Sequence, residues 1–134
     1  MEWIAEAFER KWFFIGALVL AVIYGFGALV HVGNIMGFGE VKWSQAPISW
    51  KFGDVWWGML DIVAVVGIVV KSPVGLGALG VAALSQVVAY GFFPQLFAVT
   101  DTHYSTLRGL AYFNGIVLVG LCVALYVAGG RSGA

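Results

Sequence analysis

The sequence predicts an all-α integral membrane protein, a four-transmembrane-helix bundle with an interfacial loop between its first and second spans. Three observations carry this reading. Of 134 residues, 61% are hydrophobic and 10% charged, and the mean hydropathy is +0.94, which leaves too little polar surface for a water-soluble domain. Four apolar runs reach or approach the ~20 helical residues needed to cross a hydrocarbon core of ~30 Å. The link between the first two runs carries Trp43, Pro47 and Trp50, too apolar for a freely solvated loop and too broken by proline for a span.

Taken in order, the chain opens with Glu2, Glu6 and Glu9 on one side of a helical period and Trp3, Ile4, Phe8 and Trp12 on another, with Glu6 four residues before Arg10. The first helix is expected to start early and to lie partly along the membrane surface. Those acidic residues, and the length of the run that follows, do not fit a cleavable signal peptide, so this helix is expected to be retained. The spans are expected at 12–36, 53–71, 74–96 and 107–128. The second is short by itself and spans only if it begins near Phe52, which puts Trp56 and Trp57 at the interface. The brief Lys71, Ser72, Pro73 turn makes spans two and three an antiparallel hairpin. No linker, low-complexity tract or internal repeat divides the chain, so residues 1–134 read as one domain.

Seven basic and seven acidic residues cancel, which leaves no basic field to recruit nucleic acid and no polybasic cluster for anionic lipid. The single cysteine, Cys122, excludes an internal disulfide and a Cys-based zinc cage, and reads as a small buried apolar residue. With both termini inside, Arg10, Lys11, Lys71 and Arg131 are cytoplasmic against Lys42, Lys51 and Arg108 outside, which sets the expected orientation in a cell membrane.

The most informative residue is Asp61, a carboxylate within an apolar run. Inserting such a group at bilayer depth costs roughly 2.5 kcal/mol or more, so it faces the bundle interior and a partner. Counting depth at ~1.5 Å per residue places Asp61, Gln86 and Asn114 roughly 9 to 12 Å below the outer surface, with Tyr24 near the same level. Each span thus supplies one polar group to one layer. Small residues mark inward faces: Ala78, Ala82 and Gln86 on one stripe, Ala17, Ala21 and Gly25 on a second, Gly120, Ala124 and Ala128 on a third. In the structural reading of this layer, Gln86 or Asn114 hydrogen-bonds Asp61 and fixes helix register. In the functional reading, Asp61 binds a proton or cation, with Gln86 and Asn114 as neutral ligands.

His31 and His103 fall at the same outer surface, where they meet if the first and last spans are neighbours. Facing imidazoles could ligate a haem iron, another metal or a pigment magnesium. Otherwise His31 is bonded to a carbonyl or to Asn34, and His103 is a loop residue in a segment where Asp101 or Thr102 caps the last helix. Aromatic residues suggest a quinone or pigment pocket, but Trp3, Trp12, Trp43, Trp50, Trp56 and Trp57 all fall at expected interfaces and read as an aromatic belt. No nucleotide-binding, hydrolase, thiol-redox or metalloprotease motif occurs, and an enzyme acting alone is not expected.

The long first span ending in Gly33-Asn34-Ile35-Met36-Gly37-Phe38-Gly39, the Trp-bearing link, and Leu60-Asp61-Ile62-Val63-Ala64-Val65-Val66-Gly67 resemble small four-helix membrane proteins of the DoxX-like kind. The order of elements is also similar to that of bacterial four-helix families whose function is unassigned. The resemblance covers roughly the first 95 residues. It implies a setting beside respiratory quinone-linked complexes and transfers no site residue.

Together these readings point first to a non-catalytic accessory subunit of a larger inner-membrane complex in respiratory or photosynthetic electron transfer, or to a homo-oligomer in lipid. The alternatives are an oligomeric proton, cation or small-solute transporter using Asp61, and a haem- or pigment-binding protein using His31 and His103. No cofactor is required by the sequence; haem, quinone and pigment are the candidates.

Overall fold

Every proline in the chain stands at a helix boundary, where its missing N–H and fixed φ do least harm. Pro47 precedes one helix, Pro73 opens the next, and Pro94 follows that helix's end. The computed structural model describes residues 2–129, the side chain of Glu2 excepted. It contains helices α1 (Glu2–Glu9), α2 (Lys11–Ile35), α3 (Ile48–Val69), α4 (Pro73–Phe92) and α5 (Asp101–Gly129), with short 3₁₀ turns at Trp43–Gln45 and Pro94–Leu96. No strand occurs among the described residues. Helices α2 to α5 are long and apolar enough to cross a membrane, as the sequence predicts.

The boundaries move where local chemistry outweighs hydropathy. α3 starts at Ile48, immediately after Pro47, instead of near Phe52. α4 ends at Phe92, not near Leu96, because Pro94 cannot continue the hydrogen-bond ladder. α5 begins at Asp101, six residues before Leu107, and its cap is neither Asp101 nor Thr102: the Thr100 hydroxyl accepts from the His103 N–H at 3.2 Å. The early helix is separate from the first span. It breaks at Arg10, whose backbone is extended, and packs on α2 and α5, burying Ala7 and Phe8. Phe8 meets Phe13 edge to face at 5.6 Å.

Two helices stop by the same device. At the end of α2 the Phe38 N–H bonds to the Gly33 carbonyl and the Gly37 N–H to that of Asn34, with Gly37 at φ +87. At the end of α3 the Ser72 N–H bonds to the Gly67 carbonyl and the Lys71 N–H to that of Ile68, but here the left-handed position is Lys71, φ 55. A side chain there costs on the order of 1 kcal/mol. Lys71 is held by Glu9 at 3.2 Å and by the Phe14 ring at 5.1 Å, so the hairpin turn is anchored to the start of the chain.

The helices pack in chain order, α2 on α3, α3 on α4 and α4 on α5. The α3–α4 hairpin closes so tightly that a Cβ at Gly67 or Gly75 would collide with the opposing backbone. The buried stripe of Ala78, Ala82 and Gln86 on α4 faces this interior, as do Ala17 and Ala21 on α2. On α5 only Ala128 of the third stripe is buried; Gly120 is exposed. Cys122, expected inside, is exposed on α5. Large apolar residues such as Val22, Phe26 and Ile116 cover the outside, the surface a helix presents to lipid. Arg10, Lys11 and Lys71 sit at the end of the bundle holding the chain's start, and Lys42, Lys51 and Arg108 lie toward the other; Arg131 lies outside the described residues.

Gly75→Ala is expected to destabilise the bundle by about 1–3 kcal/mol through overpacking. Gly77→Ala adds a carbon with nothing within 4 Å and should be neutral or slightly stabilising. Thermal unfolding of both variants in nonionic micelles checks this; equal midpoints would contradict the close approach of α3 and α4.

Candidate functional site

Along α2, Tyr24, Gly27, His31 and Asn34 recur at the spacing of one helix face, and along α3 so do Asp54, Gly58 and Asp61. Antiparallel packing brings the two rows together in reverse order. Asn34 Nδ2 donates to Asp54 Oδ1 at 3.0 Å. His31 Nδ1 meets the same oxygen at 2.8 Å, while His31 Nε2 faces Asp61 Oδ2 at 4.0 Å. Two glycines make room for this. A Cβ on Gly27 would stand 2.8 Å from Asp61 Oδ2, and one on Gly58 would stand 3.2 Å from the His31 Cβ.

Asp61 is 1% exposed, and its Oδ1 is buried with no hydrogen-bond partner. It makes no hydrogen bond to Gln86 or Asn114, contrary to the glue expected of this layer. Those residues bond elsewhere. The Tyr24 hydroxyl donates to Asn114 Oδ1 at 2.6 Å. Asn114 Nδ2 in turn donates to Gln86 Oε1 and to the Leu110 carbonyl, each at 2.9 Å. This chain spans α2, α5 and α4, and it joins α2 to α5, whose backbones do not pack extensively. The four-residue layer is therefore two units: a neutral relay of three side chains, and Asp61 paired with His31.

The chemistry of the second unit follows from its donors. In the tautomer whose Nδ1–H donates to the Asp54 carboxylate, the Nε2 lone pair points toward Asp61. Lone pair and carboxylate repel, and a proton on Nε2 or on Oδ2 makes the contact attractive. The array Asp54, His31, Asp61 therefore runs from the cavity end of the bundle to its buried middle.

Asp54 and His31 also line a cavity of about 430 Å³ at the end of the bundle away from α1. His103 lines the same cavity, so the two imidazoles do share one site although α2 and α5 are not closely packed. Both nitrogens of His103 have partners: Nδ1 accepts from the Val99 N–H at 3.4 Å, and Nε2 meets Glu40 Oε2 at 3.1 Å. No group of three or more His, Cys, Asp or Glu side chains able to hold a metal occurs among the described residues.

Trp3, Trp12 and Trp56 are exposed, as an aromatic belt requires, and the other three turn inward. Trp57 is 5% exposed, its Nε1 donates to Ser85 Oγ at 3.0 Å, and its ring packs on Tyr90 at 5.0 Å and Phe97 at 5.5 Å. Trp43 and Trp50 turn to the cavity from the link and from α3, with Trp50 edge-on to His103 at 5.7 Å. Asp54 and Trp57 are the residues that reading by depth alone misses. Their signal is the spacing of Asp54, Trp57, Gly58 and Asp61, one turn and two turns along a single face.

Comparison with family models, curated proteins and solved structures gives no match.

Asn114→Leu breaks both ends of the neutral relay and is expected to lower stability by about 0.6–2 kcal/mol, with Tyr24→Phe costing less. Denaturation in mixed micelles measures it; an unchanged Asn114→Leu protein would show that the relay does not hold α5 in place.

Proposed function

We propose that this is a small multi-pass transporter of the cell membrane in which Asp61 is the proton site. The observation that supports this most directly is the buried Asp61 carboxylate, with one oxygen unpartnered and the other facing His31 Nε2 at 4.0 Å. A purely structural carboxylate would be expected to have its lone pairs satisfied, and an ionisable group at this depth marks a pathway more often than a scaffold. A proton suits the site better than a metal cation. The oxygens of Gln86 and Asn114 already accept from Asn114 and Tyr24, so they are committed away from any ion at Asp61, and hard cations need several oxygen ligands. In this reading both termini are cytoplasmic, and the cavity holding Asp54 opens to the outer side.

Asp61→Asn is expected to reduce proton movement across proteoliposome membranes at least tenfold while the protein still purifies as the same monodisperse species. A variant that moves protons like the parent, or a parent that moves none, removes this reading.

A second reading, an accessory subunit of an electron-transfer complex, is supported by a groove of about 930 Å³ along α4 and α5 bordered by Gly91, Gly115 and Gly120. Small residues in such a groove let a further helix approach closely. The resemblance to DoxX-like proteins points to the same setting. Purification in mild detergent from the native membrane is expected, on this reading, to bring down stoichiometric larger partners, and Gly120→Phe should release them.

A further inference from the structure

We propose that the cavity between the ends of α2, α3 and α5 is a binding site for a small organic cation, an alkylated ammonium. The proposal rests on the transport reading for its role and names the substrate class. At about 430 Å³ the cavity has the size of a small-molecule site. Its apolar walls include the rings of Trp43, Trp50 and Trp57, and its charged lining is acidic: Asp54 and Glu40, with no Lys or Arg among the lining residues.

That pairing of aromatic faces with carboxylates is the chemistry that recognises a weakly hydrated cation. The ring quadrupoles attract positive charge at their faces, and the carboxylates supply the counter-charge. Asp54 is equipped for it. Both of its hydrogen bonds, from Asn34 and with His31, fall on Oδ1. Oδ2 is left available, on a side chain 12% exposed toward the cavity it lines. Glu40, at the rim, shares a contact with His103 through Oε2 while its side chain is 83% exposed.

One of these rings already faces a cation of the chain: the Lys51 ammonium, outside the lining, lies 6.0 Å from the centroid of Trp43. An anion would meet two carboxylates and no lysine or arginine, and both lining imidazoles are already turned to those carboxylates. A neutral ligand would gain the apolar walls but nothing from the charges. A cation gains both, and at Asp54 it sits beside the imidazole that faces Asp61. A cation at Asp54 competes with His31 for that carboxylate, and His31 is the residue that faces Asp61 at 4.0 Å.

The test is a pair of probes equal in shape and different in charge: choline and its carbon isostere 3,3-dimethylbutan-1-ol, titrated calorimetrically into the full-length protein in maltoside micelles. Choline is expected to bind at least tenfold more tightly than the isostere. Asp54→Asn should erase that preference. Because that substitution also touches His31, Glu40→Gln and Trp50→Leu at the rim and wall provide independent variants, each expected to weaken choline severalfold. Equal affinities for the two probes, no binding of either, or a preference that survives all three substitutions would overturn the proposal.

Asp61 does not line the cavity, so Asp61→Asn should keep choline binding while losing transport. Loss of transport in that variant without any choline binding by the parent removes the cation site alone. Choline binding together with unchanged transport in that variant supports the cation site and removes the transport reading alone.

Discussion

The packing of α2 against α3 is the constraint on which the rest of the molecule depends. It must bury a carboxylate and an imidazole in a bundle whose interior supplies neither lysine nor arginine to balance them. The solution is steric before it is electrostatic. Gly27 vacates the space that Asp61 occupies, Gly58 vacates the space under His31, and the helices come close enough for His31 and Asn34 to share Asp54 Oδ1. A larger residue at either glycine would separate the helices and leave Asp61 among apolar side chains, where a lone charge is costly to maintain.

The remaining helices are positioned relative to that pair by different means. α4 is held by direct backbone approach at Gly67 and Gly75, the closest form of helix packing and one in which dispersion does most of the work in lipid. α5 is held at a distance, through Tyr24, Asn114 and Gln86, and at its far end by Arg10 Nε, which donates to the Ala128 carbonyl at 3.0 Å. The difference has a consequence. Because α2 and α5 meet through side chains and not backbone to backbone, room is left at their ends, and the cavity that His31, Asp54 and His103 line lies there. The tight hairpin makes the frame, and the loose fourth helix makes the site.

Much of the site was legible along the chain, and its failures are informative. Depth counting puts Asp61, Gln86, Asn114 and Tyr24 at one level, because a helix rises uniformly and apolar runs fix its origin. Depth does not give azimuth. Whether Gln86 reaches Asp61 or Asn114 depends on rotations and tilts that hydropathy does not encode, and the structure pairs Gln86 with Asn114. The tryptophans differ for a related reason: Trp57 is on the inward face, bonded to Ser85, and a belt residue and a pocket wall at one depth differ only in azimuth.

The sequence by itself determined an all-helical protein with four helices long and apolar enough to cross a membrane, and the turn at Lys71 to Pro73. These follow from interactions within a few residues: backbone hydrogen bonds that must close inside each span in a medium without water, and prolines that cannot take part. Only the tertiary structure decided that Asp54 joins His31 and Asp61, that His103 shares their cavity, and that Cys122 faces outward. Those outcomes depend on how apolar helices rotate against one another. In lipid, where every helix face is nearly as apolar as the next, that choice is made by a few close contacts at glycine and a few hydrogen bonds, not by the hydrophobic pattern.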